Sequence, residues 1–195
     1  AKKPLFLLGG GVNIAGANEV MLKLAEYTQI PVITTIMGKG SIPTTHDLYL
    51  GNIGIHGSYA ANHAVSECDV LFSIGTRFND RITGKISEFA KYAKIIHIDA
   101  DSASISKNIV VDIPIVADAK LAIEKLLEYV SPSKAEKWLE QVTEWKKANP
   151  INMDKYEGLT PEKVIRYINE NIKHPIVATD VGQNQLWTTQ YLELE

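Results

Sequence analysis

Val70-Leu71-Phe72-Ser73-Ile74-Gly75-Thr76-Arg77-Phe78-Asn79-Asp80-Arg81 is the stretch whose reading decides the fold. An apolar run stops at a glycine, and two arginines follow, four residues apart. The run has the continuous apolar character of a strand buried on both faces of a parallel sheet. Gly75 lets the backbone leave that sheet close to another backbone or to a ligand. Ligands of open α/β sheets sit outside the carboxyl ends of the strands. Arg77 and Arg81 then stand at a binding edge, where a planar guanidinium suits a phosphate or a flat ring. Two loop arginines tied to surface acids would show the same spacing, and the motif alone does not separate the readings.

Upstream, Pro4-Leu5-Phe6-Leu7-Leu8 is a short apolar run ending in Gly9-Gly10-Gly11. A helical pattern follows, with Ala17, Val20, Met21, Leu24 and Ala25 on one face. Strand, glycine turn and helix together bring backbone N–H groups to a phosphate or ribose. The spacing Gly9, Gly11, Gly16 is not the dinucleotide fingerprint. The next strand, Pro31-Val32-Ile33-Thr34-Thr35, ends in hydroxyls instead of an acid. Both points argue against an ordinary NAD site. Without a ligand the same residues make a tight strand–helix turn. Met37-Gly38-Lys39-Gly40-Ser41 lacks the first glycine of a P-loop, and no helix pattern follows it, which excludes a P-loop NTPase. Residues 42–50 read as an irregular excursion. Gly54, Ile55, His56 and Gly57 form a loop set by backbone needs, and Ser58 caps a helix over 59–67. His56 is placed either to hydrogen-bond a cofactor or to serve the loop's own structure, and His63 reads as packing. No His/Cys/Asp/Glu cluster has metal-ligand spacing.

Downstream, residues 82–92 read as a polar helical region, and Ile95-Ile96-His97-Ile98-Asp99 as the next strand. Asp99 closes that strand where an acid can accept from ribose hydroxyls or an adenine amine. His97 lies inside the apolar run and reads as a core residue. The run 110–116 contains Pro114, which places it at a sheet edge. Asp118 caps an amphipathic helix carrying Leu121, Ala122, Leu126, Leu127 and Val130, and it falls on the same sheet edge as Gly75 and Asp99. Alternating strands and helices specify an α/β fold with a doubly wound parallel sheet. Ser131-Pro132-Ser133 breaks the pattern. The charged helix 134–148 carries Trp138, Leu139, Val142 and Trp145 as a packing stripe, and 151–158 is a linker. A second unit opens with Thr160 as N-cap and Pro161 in the first helical position. It continues with a strand over 175–180 and the donor-rich segment Val181-Gly182-Gln183-Asn184-Gln185, suited to a diphosphate. The organisation is thus a domain over 1–130, a helical connector over 131–158, and an incomplete α/β unit over 159–195.

The chain has 195 residues, 45% of them hydrophobic, enough for a sizeable core. A net charge of −3 and no basic run argue against nucleic acid as a partner. Apolar stretches are only strand-length, so no membrane span is expected. No signal peptide is apparent. A lone cysteine, Cys68, forms no internal disulfide, fits a reducing, cytoplasmic compartment, and reads as a small buried hydrophobe. The start without Met and the final Leu194-Glu195 give the look of a piece cut from a longer protein.

Taken in order, Gly9-Gly10-Gly11, the segment 31–38, Gly54-Ile55-His56-Gly57 with Ala61-Asn62, the segment 75–84, the strand 95–99 and the segment 181–187 resemble the acetolactate synthase (acetohydroxyacid synthase) family of thiamine-diphosphate enzymes, in its large catalytic subunit. Gly-Thr-Arg-Phe-Asn-Asp-Arg-Ile-Thr-Gly and Val-Gly-Gln-Asn-Gln-Leu-Trp carry most of the specificity. The resemblance implies that the chain is the central domain, a six-stranded parallel, Rossmann-like sheet with helices on both faces, plus a connector and the opening of the third domain. It implies FAD as the central domain's ligand, contacted by Gly9, Gly10, Gly11, Thr35, Ile36, Met37, Gly54, Ile55, His56, Gly75, Arg77, Asn79, Arg81, Asp99, Ala100, Asp118 and Ala119. It implies thiamine diphosphate, with Mg2+, in the full-length protein, and its opening motif matches Val181, Gly182, Gln183, Asn184 and Gln185. It implies a homodimer or tetramer of the full-length catalytic subunit, with or without a small regulatory subunit. Four positions depart from its pattern: Asn79 for aspartate, Asn184 for histidine, Ala117 for glycine and Ser102 for proline. The family's activating glutamate and its Mg2+-anchoring Gly-Asp-Gly segment have no counterpart in these residues, so the chain alone is expected to be inactive. The rival readings are a relative with the same central domain, such as pyruvate oxidase or glyoxylate carboligase, and a nucleotide-binding module without catalysis.

Overall fold

The computed structural model describes residues 1–173 and 175–195. Six parallel strands form one sheet: β1 (Pro4–Leu8), β2 (Val32–Thr34), β3 (Tyr49–Asn52), β4 (Val70–Ile74), β5 (Lys94–Asp99) and β6 (Ile113–Val116), in the order β3-β2-β1-β4-β5-β6. The register is continuous from Phe6↔Val32 to Leu8↔Thr34 on one side of β1 and from Pro4↔Val70 to Leu8↔Ile74 on the other. The winding direction therefore reverses between β1 and β4.

Alternation along the strands divides the core into two layers. Leu5, Leu7, Ile33, Leu71 and Ile95 face α3 (Tyr59–Glu67) and α6 (Glu136–Ala148). Phe6, Leu8, Val32, Ile74 and Ile98 face α2 (Asn18–Thr28) and α5 (Ala119–Leu127). Helices thus cover both faces, and β1 is buried throughout its length. Trp138 and Val142 of α6 complete the first layer, as the aromatic stripe anticipates, and the Trp138 Nε1–H donates to the Pro4 carbonyl at 2.9 Å. Cys68 is fully buried. Ser58, Asp118 and Thr160 all cap their helices through side-chain oxygens.

Several expectations are corrected. β3 falls across the end of the supposed irregular excursion. Its four residues include Gly51 at φ +116, and its register against β2 shifts between Val32 and Ile33, so no clean strand pattern is present. The first helical pattern is split into α1 (Gly10–Ile14) and α2 around Gly16 at φ +60. The polar region 82–92 holds only α4 (Asp80–Thr83) and a 3-10 turn at Ile86–Glu88, because Gly84 at φ +54 ends the first helix after one turn. The edge strand shrinks to β6, with Pro114 opposite His97. Residues 175–180 join no sheet: a strand needs a neighbour, and none of the six offers one there. In place of a second sheet, α7 (Pro161–Asn171) and α8 (Gln183–Tyr191) pack through Ile165, Tyr191 and Leu192, and Thr44 exchanges hydrogen bonds with Leu194.

Trp138→Phe removes a buried hydrogen bond together with part of the first layer. It should lower unfolding free energy by about 2 kcal/mol, read as a lower urea midpoint at unchanged slope.

Candidate functional site: the carboxyl rim of the sheet

All six strands end on one rim. Leu8 lies opposite Thr34 and Ile74, Thr34 opposite Asn52, Ile74 opposite Ile98, and Asp99 opposite Val116. The residues that leave these ends are Gly9–Gly11, Thr35–Met37, Gly54–His56, Gly75–Arg81, Asp99–Ala100 and Asp118–Ala119. The parallel topology thus gathers onto one edge the residues that sequence reasoning scattered over 110 positions. That edge includes the reversal point, where open α/β sheets take their ligands.

The centre of the rim is backbone against backbone. Gly9 N–H donates to the Ile74 carbonyl at 2.9 Å and Gly11 N–H to the Gly75 carbonyl at 3.2 Å. A Cβ on Gly9 would lie 2.1 Å from the Gly75 oxygen, and one on Gly75, at φ +62, would lie 2.5 Å from the Gly11 Cα. No side chain fits between the two turns, which leaves a low floor of peptide groups. Thr35 caps the next loop by accepting from Gly38 N–H at 3.1 Å. Asn13 Nδ2 donates to the Met37 and Lys39 carbonyls, holding that loop against α1. The Gly54 loop is held twice by Asn62, at 3.0 Å each way, and Ile55 N–H donates to the Arg81 carbonyl. Asn108 Nδ2 donates to the Arg77 carbonyl at 2.9 Å. Asn13, Asn62 and Asn108 are therefore among the residues that fix the rim's loops. Asn62 was visible only as part of a motif, and nothing in a lone amide marks the other two.

The side chains on this fixed backbone are largely free. Arg77, Asn79 and Arg81 are exposed, and neither guanidinium takes part in an ion pair among the described residues. The surface-acid alternative therefore finds no support. Met37 and Ile55 are 71% and 67% exposed, an apolar surface on the same edge as two cations. Asn79 starts α4 without a side-chain cap bond. Asp118 accepts from Lys120 and Leu121 N–H, so its carboxylate serves α5 first. His56 is exposed, and its carbonyl accepts from Gln190 of α8 at 3.1 Å.

Asp99 is half-buried, and its Oδ1 accepts from Asp101 N–H at 2.9 Å. Behind it, His97 is fully buried against the Phe78 ring, with Nε2 3.8 Å from Asp99 Oδ2. Neither His97 nitrogen nor the adjacent Ser73 hydroxyl has a hydrogen-bond partner among the described residues. Burial lowers the His97 pKa, while the Asp99 carboxylate and, more weakly, the Thr76 backbone pull the other way. The core reading of His97 holds. Gly182, Gln183, Asn184 and Gln185 lie at the opposite end of α8 from Gln190, the residue that reaches the rim. No side-chain hydrogen bond or ion pair among the described residues joins them to it. No group of three or more potential metal ligands occurs among the described residues, and no helix is long and apolar enough to cross a membrane.

These features define a doubly wound, all-parallel α/β sheet with helices on both faces. The family model described as "Thiamine pyrophosphate enzyme, central domain" matches residues 1–126, and the chain belongs to that family. It is similar to the "Probable acetolactate synthase large subunit" of Methanocaldococcus jannaschii, with 47% identity over 99% of this chain and 34% of that protein. The protein of the same description from Methanococcus aeolicus is 46% identical over 100% of the chain and 36% of its own length. The "Acetolactate synthase large subunit" of Cyanidium caldarium is 40% identical over 100% and 35%. The chain spans about a third of the length of these relatives.

Gly75→Ala should destabilise by more than about 3 kcal/mol, because a strained φ is joined to a backbone collision. Gly84→Ala, at φ +54 and ψ −127 but with nothing within 4 Å of the added Cβ, should cost the backbone strain alone, about 2 kcal/mol; chemical denaturation of the pair reads the difference. The unfolded chain protonates His97 near its ordinary value of 6.5, whereas the folded state keeps it neutral to lower pH. Stability should therefore fall as pH drops below 6.5, and His97→Phe should flatten that part of the urea-midpoint profile.

Proposed function

We propose that this chain is the flavin-holding segment of an acetolactate synthase catalytic subunit. The observation that carries the reading is the convergence of the Gly9–Gly11 turn, Gly75, both arginines and Asp99 on one rim at the sheet's reversal point. The names of the relatives support the synthase over pyruvate oxidase or glyoxylate carboligase. The residues fit FAD. The glycine floor admits a ligand to hydrogen-bonding distance of peptide N–H groups. Arg77 and Arg81 suit the diphosphate or lie over a flat ring. Met37 and Ile55 offer apolar cover to ring systems, and Asp99 can accept from ribose hydroxyls or an adenine amine. Thr35, Ile36, His56, Asn79, Ala100, Asp118 and Ala119 border the same surface. Flavins supply hydride and electron chemistry in general, but no net redox step belongs to the synthase reaction, so the contribution of these residues is to bind and orient.

The parent protein would join two pyruvates, or pyruvate and 2-oxobutyrate, with loss of CO2 on thiamine diphosphate and Mg2+, in branched-chain amino-acid biosynthesis. Gly182, Gln183, Asn184 and Gln185 would contribute to the thiamine-diphosphate site once the rest of that domain is in place. The domain limits would fall near residues 130 and 158, and the segment alone would form no acetolactate. The parent would act in the cytoplasm as a homodimer or tetramer, with or without a small regulatory subunit. The buried, lone Cys68 accords with a reducing compartment.

Flavin titration followed by fluorescence tests the proposal. FAD should bind the chain, and Arg77→Ala and Arg81→Ala should each weaken it by about 10- to 100-fold, the worth of one charge-assisted hydrogen bond. Affinities equal to wild type would remove the arginines from the site.

A further inference from the structure

Three polar groups directly behind the rim are short of partners. His97 and Ser73 stand opposite each other on β5 and β4, both fully buried. Neither imidazole nitrogen nor the Ser73 hydroxyl has a hydrogen-bond partner among the described residues. Asp99, two residues along β5 and so on the same face, carries the third group. Its side chain is only 14% exposed. Oδ1 accepts from Asp101 N–H, and no hydrogen bond among the described residues reaches Oδ2. His97 Nε2 lies 3.8 Å from that oxygen. The gap exceeds the roughly 2.7–3.2 Å of a made hydrogen bond, and a turn of the carboxylate by about 1 Å closes it without moving a strand. Burial lowers the His97 pKa against the pull of Asp99 and the Thr76 backbone. The ring is therefore neutral at about pH 8, with one nitrogen donating and one accepting. A carboxylate only accepts, which favours the proton on the nitrogen that faces it. The ring also packs edge-on against Phe78, with centroids 5.0 Å apart, under a loop in which Phe78 holds φ +48. An apolar ring would serve that contact and bury no unsatisfied nitrogen. Packing alone therefore does not account for an imidazole at this position.

We infer, building on the flavin reading of the rim, that His97 is a positioning residue for the adenosine half of the ligand: its Nε2–H donates to Asp99 Oδ2. With Asp101 N–H on Oδ1, this second contact fixes the plane of the carboxylate. The remaining lone pairs then face the rim, where they accept from ribose hydroxyls or an adenine amine. An acceptor set in advance spares the ligand the cost of ordering it. Fully buried, His97 touches no ligand and acts only through Asp99.

Two variants separate positioning from packing. His97→Phe keeps a ring beneath Phe78 and removes the donor, whereas His97→Gln brings an amide donor close to the former Nε2. At about pH 8 protonation of the imidazole plays no part. There the urea midpoint of His97→Phe should be no lower than that of the wild type. Its affinity for FAD and for ADP, by calorimetric titration of the 195-residue chain, should nevertheless fall by about tenfold, the worth of one charge-assisted hydrogen bond. His97→Gln should recover most of that loss. As a readout that needs no variant to fold, nitrogen NMR of the wild-type imidazoles should place the His97 proton on Nε2, and added ADP should shift that resonance. Unchanged affinities in His97→Phe, a urea midpoint that falls along with the affinity, a His97→Gln variant as weak as His97→Phe, a proton on Nδ1, or a resonance indifferent to ADP would each overturn the role of His97 and leave the flavin reading standing. A wild-type chain that binds neither FAD nor ADP would overturn both.

Discussion

The two glycine turns after β1 and β4 lie against each other with no side chain between them, and the rest of the rim is built outward from that contact. Because the winding reverses there, the chain leaves the two neighbouring strands toward opposite faces of the sheet. The turns must then cross at the distance of a peptide hydrogen bond, as in Gly9 N–H to Ile74 O and Gly11 N–H to Gly75 O. A methyl group at any of the three glycines would force the strands apart or tilt a turn. The neighbouring loops are fastened to this floor in sequence. Thr35 N–H donates to Leu8 O, Ile53 N–H to Thr34 O, and Ala117 N–H to Asp99 O.

The consequence is a division between a fixed backbone and free side chains. Asparagine amides spend their donors on loop carbonyls, while Arg77, Arg81, Met37 and Ile55 remain exposed. A ligand meeting such a surface need order only side chains, which limits the conformational cost of binding. Directly behind Asp99 the structure tolerates an expense of another kind. Ser73 and His97, opposite each other on β4 and β5, are buried without hydrogen-bond partners among the described residues. Unsatisfied buried polar atoms are uncommon in folded proteins and tend to mark functional surroundings. Here they adjoin the carboxylate that the flavin reading assigns to the nucleotide.

Much of this was legible in the residues. Continuous apolar strands such as 70–74 and 4–8 can be buried only between two helical layers, and they are. Caps at Ser58, Asp118 and Thr160 were readable because their chemistry is local. β3 was not readable. A four-residue edge strand with a positive-φ glycine and a register shift owes its pairing to β2, a tertiary fact with no local signature. The run 175–180 failed the other way: it has strand composition, but strand formation depends on a partner that its own residues do not reveal. For the site, glycines and arginines announced themselves, whereas Asn13 and Asn108 act through contacts 24 and 31 residues away.

The departure at Asn79 can be judged from the loop's electrostatics. In the family pattern an aspartate stands there, between two arginines. In this chain the position starts α4 with an exposed amide that makes no cap bond. An amide removes one negative charge from a loop whose guanidinium groups already lack ion-pair partners among the described residues. It therefore raises the positive potential at the reversal point, which favours a diphosphate. The loop's geometry does not depend on that side chain, because Asn108 and the Ile55 N–H hold its two ends by the Arg77 and Arg81 carbonyls. The exchange thus changes the charge that a ligand meets while leaving the shape of the loop to the backbone.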